Sequence, residues 1–276
     1  MAGTLYLVGT PIGNLSDFSP RAMETLRSVD FIAAEDTRVT LKLMNHFELR
    51  KELVSYYAHN MTVSGPRIVE RLLSGESCAL VTDAGMPAIS DPGEDLARLC
   101  AEAGIEVLPV PGPSAFVAAL AASGLPTGRF CFEGFLSTTK KTRMEHLDSL
   151  KREERTMIFY EAPHKLLGTL RDLAAAFGGD RRISVSRELT KLHEETIRTT
   201  LDGAIAHFEE KEPRGEFVLV LSGAQPETGP QMTAEDALER VEFYRAEGRS
   251  LKEAAKLAAA DTGFSRNELY SMALKK

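Results

Sequence analysis

Short apolar runs alternate with amphipathic stretches through the first half of the chain, and that alternation predicts strand followed by helix. "TLYLVGT" (4–10) reads as a strand, and "SPRAMETLRSV" (19–29) as a helix with Ser19 as cap and Pro20 at its first position. The pattern continues with strands at 30–36, 53–57, 78–83 and 105–110 and helices at 37–47, 65–75, 92–104 and 113–124. Strands this apolar, each followed by a helix, imply a parallel sheet covered on both faces. Ligands of such sheets sit beyond the carboxyl ends of the strands. The loops at those ends are 9–18, 35–38, 83–92 and 111–114.

The second half changes character. Strands are expected at 129–136, 156–162, 182–189, 193–201 and 215–223, with helices at 140–152, 164–177 and 202–210. Two of these strands are close enough in sequence to pair as a hairpin. The fold class is therefore α/β, with an N-terminal parallel-sheet domain at 1–122 and a second, mixed α/β domain at 123–223. "GAQPETGPQ" is polar and rich in Gly and Pro, which makes 224–232 a linker. The tail, 233–276, is helical: Ser250 caps one helix, Gly263 makes a turn and Ser265 caps another. That spacing fits a helix-turn-helix and an ordinary α-hairpin equally well.

Composition narrows the class without naming a partner. A hydrophobic share of 43% and a charged share of 26% are those of a soluble globular protein. No apolar stretch is long enough for a membrane span, and no basic leader precedes the first apolar run. Cys78, Cys100 and Cys131 show no pairing pattern and read as buried thiols of a reducing compartment, so a cytoplasmic protein is expected. A net charge of -7 argues against non-specific coating of nucleic acid, but not against one local basic groove. The six histidines lack ligand spacing, and no metal site is expected.

The loops at the strand ends carry the candidate chemistry. "VGTPIGN" (8–14) has neither the G-x-G-x-x-G spacing nor a G-K-[ST], and Pro11 removes a donor that a diphosphate would need. Such a loop suits a ligand without phosphate; a stiff β-to-α connection explains it as well. "AAEDTR" sets Glu35, Asp36 and Arg38 at a strand end, where the acids could polarise a hydroxyl and Arg38 could take a phosphate. For Asp36 alone, capping the next helix is the simpler role. In "VTDAGMPAISDPG" Asp83 ends a strand, Gly85 lets a ligand approach the backbone, and the prolines stiffen the loop. Ser114 and Ala115 open a helix facing the same crevice, and "FYEAPHK" adds Tyr160, Glu161, His164 and Lys165. Lys140, Lys141 and Arg143 are either a grip on RNA backbone or a solvated helix face.

Taken in order, "LYLVGTPIGNLSDFSP", "IAAEDTR", "SYYAHN", "LVTDAGMPAISDPG", "VLPVPGPSA", "FEGFL", "IFYEAPHK", "SRELTKLHEE" and "GEFVLVL" resemble the bacterial small-subunit ribosomal RNA methyltransferase I family, of the tetrapyrrole methylase superfamily. The tail "SLKEAAKLAAADTGFSRNELY" resembles it too. The resemblance implies methyl transfer from S-adenosylmethionine to the ribose 2′-hydroxyl of a decoding-centre cytidine in 16S rRNA, with the small ribosomal subunit as partner. It also implies a homodimer and a cofactor cleft between two α/β domains. Carried over by position, the cofactor would meet Pro11, Asp83, Ala84, Gly85, Ile89, Ser114, Ala115, Tyr160, Glu161 and Leu189. The Glu35–Asp36 pair would stand near the 2′-hydroxyl, with Arg38 on a phosphate. "DAGMP" and Phe18 in "LSDFSP" depart slightly from the commoner family forms.

Two other readings compete. A tetrapyrrole methyltransferase of the same fold would need a deep pocket without basic surroundings, and relatives of that kind carry a more glycine-rich first loop. A nucleic-acid-binding regulator with a degenerate enzyme body would have little use for Asp83, Gly85 and Ser114 together.

Overall fold

The computed structural model describes residues 1–225 and 232–275. Most of the linker expected at 224–232, namely 226–231, lies outside the described residues. The chain forms two compact units, Met1–Ala224 and Gln225–Lys276.

The first unit holds two five-stranded sheets. β1 (Thr4–Val8), β2 (Phe31–Ala34), β3 (Glu52–Ser55), β4 (Cys78–Val81) and β5 (Glu106–Val110) form one sheet in the order β3-β2-β4-β1-β5. Every pairing in it is parallel, as the apolar runs predict. β2 and β4 are buried throughout because helices cover both faces. α1 (Pro20–Ser28) and α2 (Thr37–His46) bring Ala22, Leu26 and Met44 to one face. α3 (Met61–Leu73) and α4 (Glu94–Glu102) bring Ile68, Leu72 and Leu96 to the other. The start of α3 differs from expectation. "GP" at 65–66 was the predicted entry, yet the helix begins one turn earlier, with Ser64 N–H bonded to Asn60 O at 2.8 Å. Pro66 lies in its second turn and supplies no backbone donor there.

The second sheet runs β6-β7-β10-β8-β9, from β6 (Phe130–Phe135), β7 (Thr156–Glu161), β8 (Arg182–Arg187), β9 (Glu195–Thr200) and β10 (Phe217–Leu221). It is mixed: β6 pairs β7 in parallel, while β10 is antiparallel to both neighbours. β8 and β9 are the expected hairpin pair. α6 (Lys140–Ser149), α7 (Leu166–Phe177) and α8 (Leu201–Glu210) cover one face through Leu147, Leu170 and Phe208. The other face packs Ile158, Val218 and Val220 against Ala119 and Leu120 of α5 (Ala115–Ala122). So α5, which follows β5 in the chain and was expected with the first domain, packs on the second sheet. That crossing places its N-terminus beside the ends of both sheets.

The second unit is a three-helix cluster. α9 (Ala234–Ala246) starts with a capping box between Thr233 and Asp236. α10 (Leu251–Thr262) is capped by Ser250, and Gly263, at φ 74°, turns the chain into α11 (Arg266–Leu274). Small residues Ala237, Ala254, Ala255 and Ala258 let the helices close around Val241 and Leu269. Asp261 accepts from Arg240 Nε at 2.8 Å and from the Tyr244 hydroxyl at 2.6 Å. No helix of the described residues is long and apolar enough to cross a membrane.

Candidate functional site: a carboxylate-bearing cavity at the strand ends

The loops after β1, β4 and β5 are fastened to one another before they can hold anything else. Gly9 and Gly112 pass so close that a Cβ on either would lie 2.7 Å from the other's Cα. Only glycine fits such a backbone approach. Thr10, buried, donates its N–H to Gly85 O (2.9 Å) and accepts from Gly85 N–H (3.1 Å), while its hydroxyl reaches Thr82 O at 3.0 Å. Gly85 itself sits at φ 88°.

Against this frame lies a cavity of about 510 Å³, of a size suited to a small cofactor. Of the ten residues expected at a cofactor, Ala84, Gly85, Ile89, Ser114, Ala115, Tyr160, Glu161 and Leu189 line it. Pro11 and Asp83 do not. With Thr10 pinned inward to Gly85, it is Ile12 rather than Pro11 that turns to the cavity. Asp83 is drawn sideways: its carboxylate accepts from Asp36 N–H at 3.2 Å, and its own N–H donates to Glu35 Oε2 at 3.4 Å.

The acids expected near a substrate hydroxyl lie outside the cavity wall as well. Asp36 caps α2 through Arg38 N–H (2.8 Å) and pairs with the Arg38 guanidinium at 2.6 Å. Those bonds hold its carboxyl down to about 2. The Arg38 side chain is 87% exposed, a cation at the rim rather than in the pocket. Burial raises the pKa of Glu35, with the neighbouring Asp83 and Asp36 charges adding to it.

A carboxylate that does line the cavity, and that the sequence analysis does not single out, is Asp91. Burial, then the charges of Glu35 and Asp83, push its pKa up to about 6. Its sequence signal was modest: an acid before Pro-Gly in a loop already marked as unusual. Other lining residues not singled out include Ile12, Met86, Phe135, Glu216 and Phe217. His164 was singled out and lines the cavity; Lys165, beside it, does not.

The second sheet supplies the facing wall. Tyr160 accepts from the Phe116 N–H at 3.2 Å, taking the capping role at α5 that Ser114 leaves unfilled. Burial raises the Tyr160 pKa, so it is a neutral phenol at ordinary pH. Glu161, 5% exposed, accepts from Ala162 N–H at 2.8 Å and from the Thr169 hydroxyl. Thr169 accepts from Arg143 Nη2 at 2.8 Å, and Arg143 pairs with Asp172 at 2.9 Å. Arg143 is thus a buried support for Glu161 and not free for RNA backbone, which corrects one expectation for the 140–143 segment. Lys141 faces Glu145 at 3.9 Å, and Lys140 stays exposed.

The cavity wall carries Asp91, Glu161 and Glu216 but no lysine or arginine; only Glu216 has a cationic partner, Lys191, at 2.8 Å. It therefore suits a ligand that is apolar in body and bears positive charge. It has no lysine or arginine to meet a phosphate. No cluster of histidine, cysteine or acidic side chains among the described residues could hold a metal ion.

Comparison with known proteins gives this arrangement a context. The sequence profile of the Tetrapyrrole (Corrin/Porphyrin) Methylases matches residues 4–205, and that of the RsmI C-terminal HTH domain matches residues 233–276. Ribosomal RNA small subunit methyltransferase I of Synechocystis sp. is 50% identical over 273 residues, covering 99% of this chain and 98% of that protein. The protein of that name from Halalkalibacterium halodurans is 47% identical, over 98% of this chain and 94% of its own length. Among solved structures, diphthine synthase superposes with a TM-score of 0.61 at 16% identity, over 80% of this chain and 90% of that one.

Proposed function

This chain belongs to the tetrapyrrole (corrin/porphyrin) methylases, within them to the ribosomal RNA small subunit methyltransferase I family, and on that premise we propose that it methylates a ribose 2′-hydroxyl of 16S rRNA from S-adenosylmethionine. The carrying observation is the cavity wall. An apolar pocket with an unpaired carboxylate and no lysine or arginine fits a nucleoside sulfonium, a cation without phosphate. Ile12, Ile89 and Leu189 would enclose the adenosine, and Asp91 would face the positive charge. Bound there, the cofactor supplies an already activated methyl group.

What remains for the protein is alignment and the removal of one weakly acidic proton. The fastened loops give a rigid wall that needs no ordering on binding. Arg38, at the rim, would steady an RNA phosphate. The choice of a decoding-centre cytidine rests on the motif resemblance, as does the assembled small subunit as partner. A homodimer is part of the same reading: β5 is an edge strand, and Leu108 on it and Val117 on α5 are exposed apolar side chains. A cytoplasmic location accords with three free cysteines. A tetrapyrrole acceptor would be read out by transfer to a small macrocycle instead. The deciding experiment is transfer of labelled methyl to small subunits lacking the modification, with ribose and base products separated.

A further inference from the structure

We infer that a second cavity, adjoining the first, receives the target nucleoside and that Asp17 takes the proton from its 2′-hydroxyl. This rests on the proposed methyl transfer to RNA. This second space, wide open to solvent, measures about 440 Å³ and is lined by Asp17, Pro111, Pro113, Ala118 and Thr190, together with Ile12 and Ser114. Ile12 and Ser114 also line the first cavity, so the two spaces share a wall. Methyl transfer requires this relationship: donor carbon and acceptor oxygen must meet at about 3–3.5 Å, each held by its own subsite.

The shared wall is polar where it needs to be. Ser114 occupies the N-cap position of α5 with extended backbone, yet its side chain makes no capping bond, because Tyr160 accepts the Phe116 N–H instead. Its hydroxyl has no hydrogen-bond partner among the described residues and lies at the junction of the two spaces. Asp17 lies beyond it, in a short 3₁₀ turn, Leu15–Asp17. The turn is held firmly: Asn14 Oδ1 accepts from Ser16 N–H at 3.0 Å, and Phe18 is buried against Phe47 with ring centroids 5.1 Å apart. The Asp17 carboxylate itself has no hydrogen-bond or ionic partner among the described residues and is exposed to the cavity. By contrast, Asp36 is committed to Arg38 and to its helix cap.

The step balances with these groups alone. The 2′-oxygen forms its bond to the methyl carbon as the carbon–sulfur bond breaks and sulfur takes the electron pair. The oxygen becomes acidic as it alkylates, so a carboxylate suffices to accept its proton. The products are the 2′-O-methyl nucleoside, the thioether and protonated Asp17. A nucleoside must leave its stack to enter such a space, as bases do in other nucleic-acid-modifying enzymes.

Two measurements test this, given wild-type protein that transfers methyl to small subunits; if wild type transfers none, it is the function proposal that falls. First, Asp17→Asn is predicted to lower kcat at least about 100-fold while S-adenosylmethionine affinity stays within about twofold. Retention of kcat within about threefold overturns the inference. Second, small subunits carrying 4-thiouridine at the labelled position are irradiated with wild-type protein and S-adenosylhomocysteine, and the crosslinked peptide is sequenced. Crosslinks to residues 12–18 or 111–118 are expected; crosslinks confined to 35–38 overturn the assignment.

Discussion

Ile89 and Leu189 reach the first cavity from two loops built alike. Each lies between two non-glycine residues of positive φ, Ala88 (68°) and Ser90 (64°) for one, Glu188 (52°) and Thr190 (64°) for the other. Left-handed backbone at such residues costs about 1–3 kcal/mol each and tends to persist at ligand-binding loops. Ile89 is 45% exposed, so core burial does not account for its placement. Ile89→Ala is therefore expected to weaken S-adenosylmethionine binding about tenfold with little change in thermal stability. Calorimetric titration beside a melting curve checks both.

Asp91 is expected to make cofactor binding pH-dependent. With its pKa raised to about 6, it is neutral below that pH and ionised above it. A cation is drawn only by the ionised form, so affinity should rise as pH increases from 5 to 7. Asp91→Asn should bind at the weaker level and flatten the dependence. Stability runs the other way. A carboxyl whose folded pKa exceeds its unfolded value loses stabilisation as pH climbs from about 4 through 6. The Asn variant without ligand should then melt higher than wild type at pH 8, and equally at pH 3.

Gly112→Ala tests the fastened loops. The added methyl would meet Gly9 backbone that cannot move without releasing Thr10 from Gly85. Overpacking of this kind costs about 1–3 kcal/mol. Because the shifted atoms frame the cavity, cofactor affinity should fall together with the melting temperature.

Arg143→Leu separates support from RNA grip. The change should destabilise the protein by about 3–5 kcal/mol, since it strands Asp172 and unseats the Thr169–Glu161 pair. The salt dependence of RNA binding in folded protein should not change. A shallower salt slope would return Arg143 to the RNA surface.

Much of this was legible in the chain because the signals were local. Apolar strand runs, Ser19 and Ser250 caps and the Gly263 turn each rest on residues adjacent in sequence. The cavity residues Gly85, Ile89, Ser114 and Leu189 came through motif resemblance, and the structure brings them together. What was missed depends on partners far along the chain. Asp83 leaves the cavity because Asp36 N–H, on the neighbouring strand's end, claims it. Arg143 is buried by Thr169 and Asp172, whose nearness no local pattern announces. Asp91 was overlooked since its shift comes first from burial, then from Glu35 on the neighbouring strand's end and Asp83 at the start of its own loop, none of which a local pattern announces.

Methyl transfer to ribose is read most directly from the labelled product. Small subunits lacking the modification are incubated with the protein and methyl-labelled S-adenosylmethionine, then digested to nucleosides. Label on the 2′-oxygen of a single cytidine is the predicted result. Label on a base, or tight cofactor binding with no transfer to RNA, would contradict it.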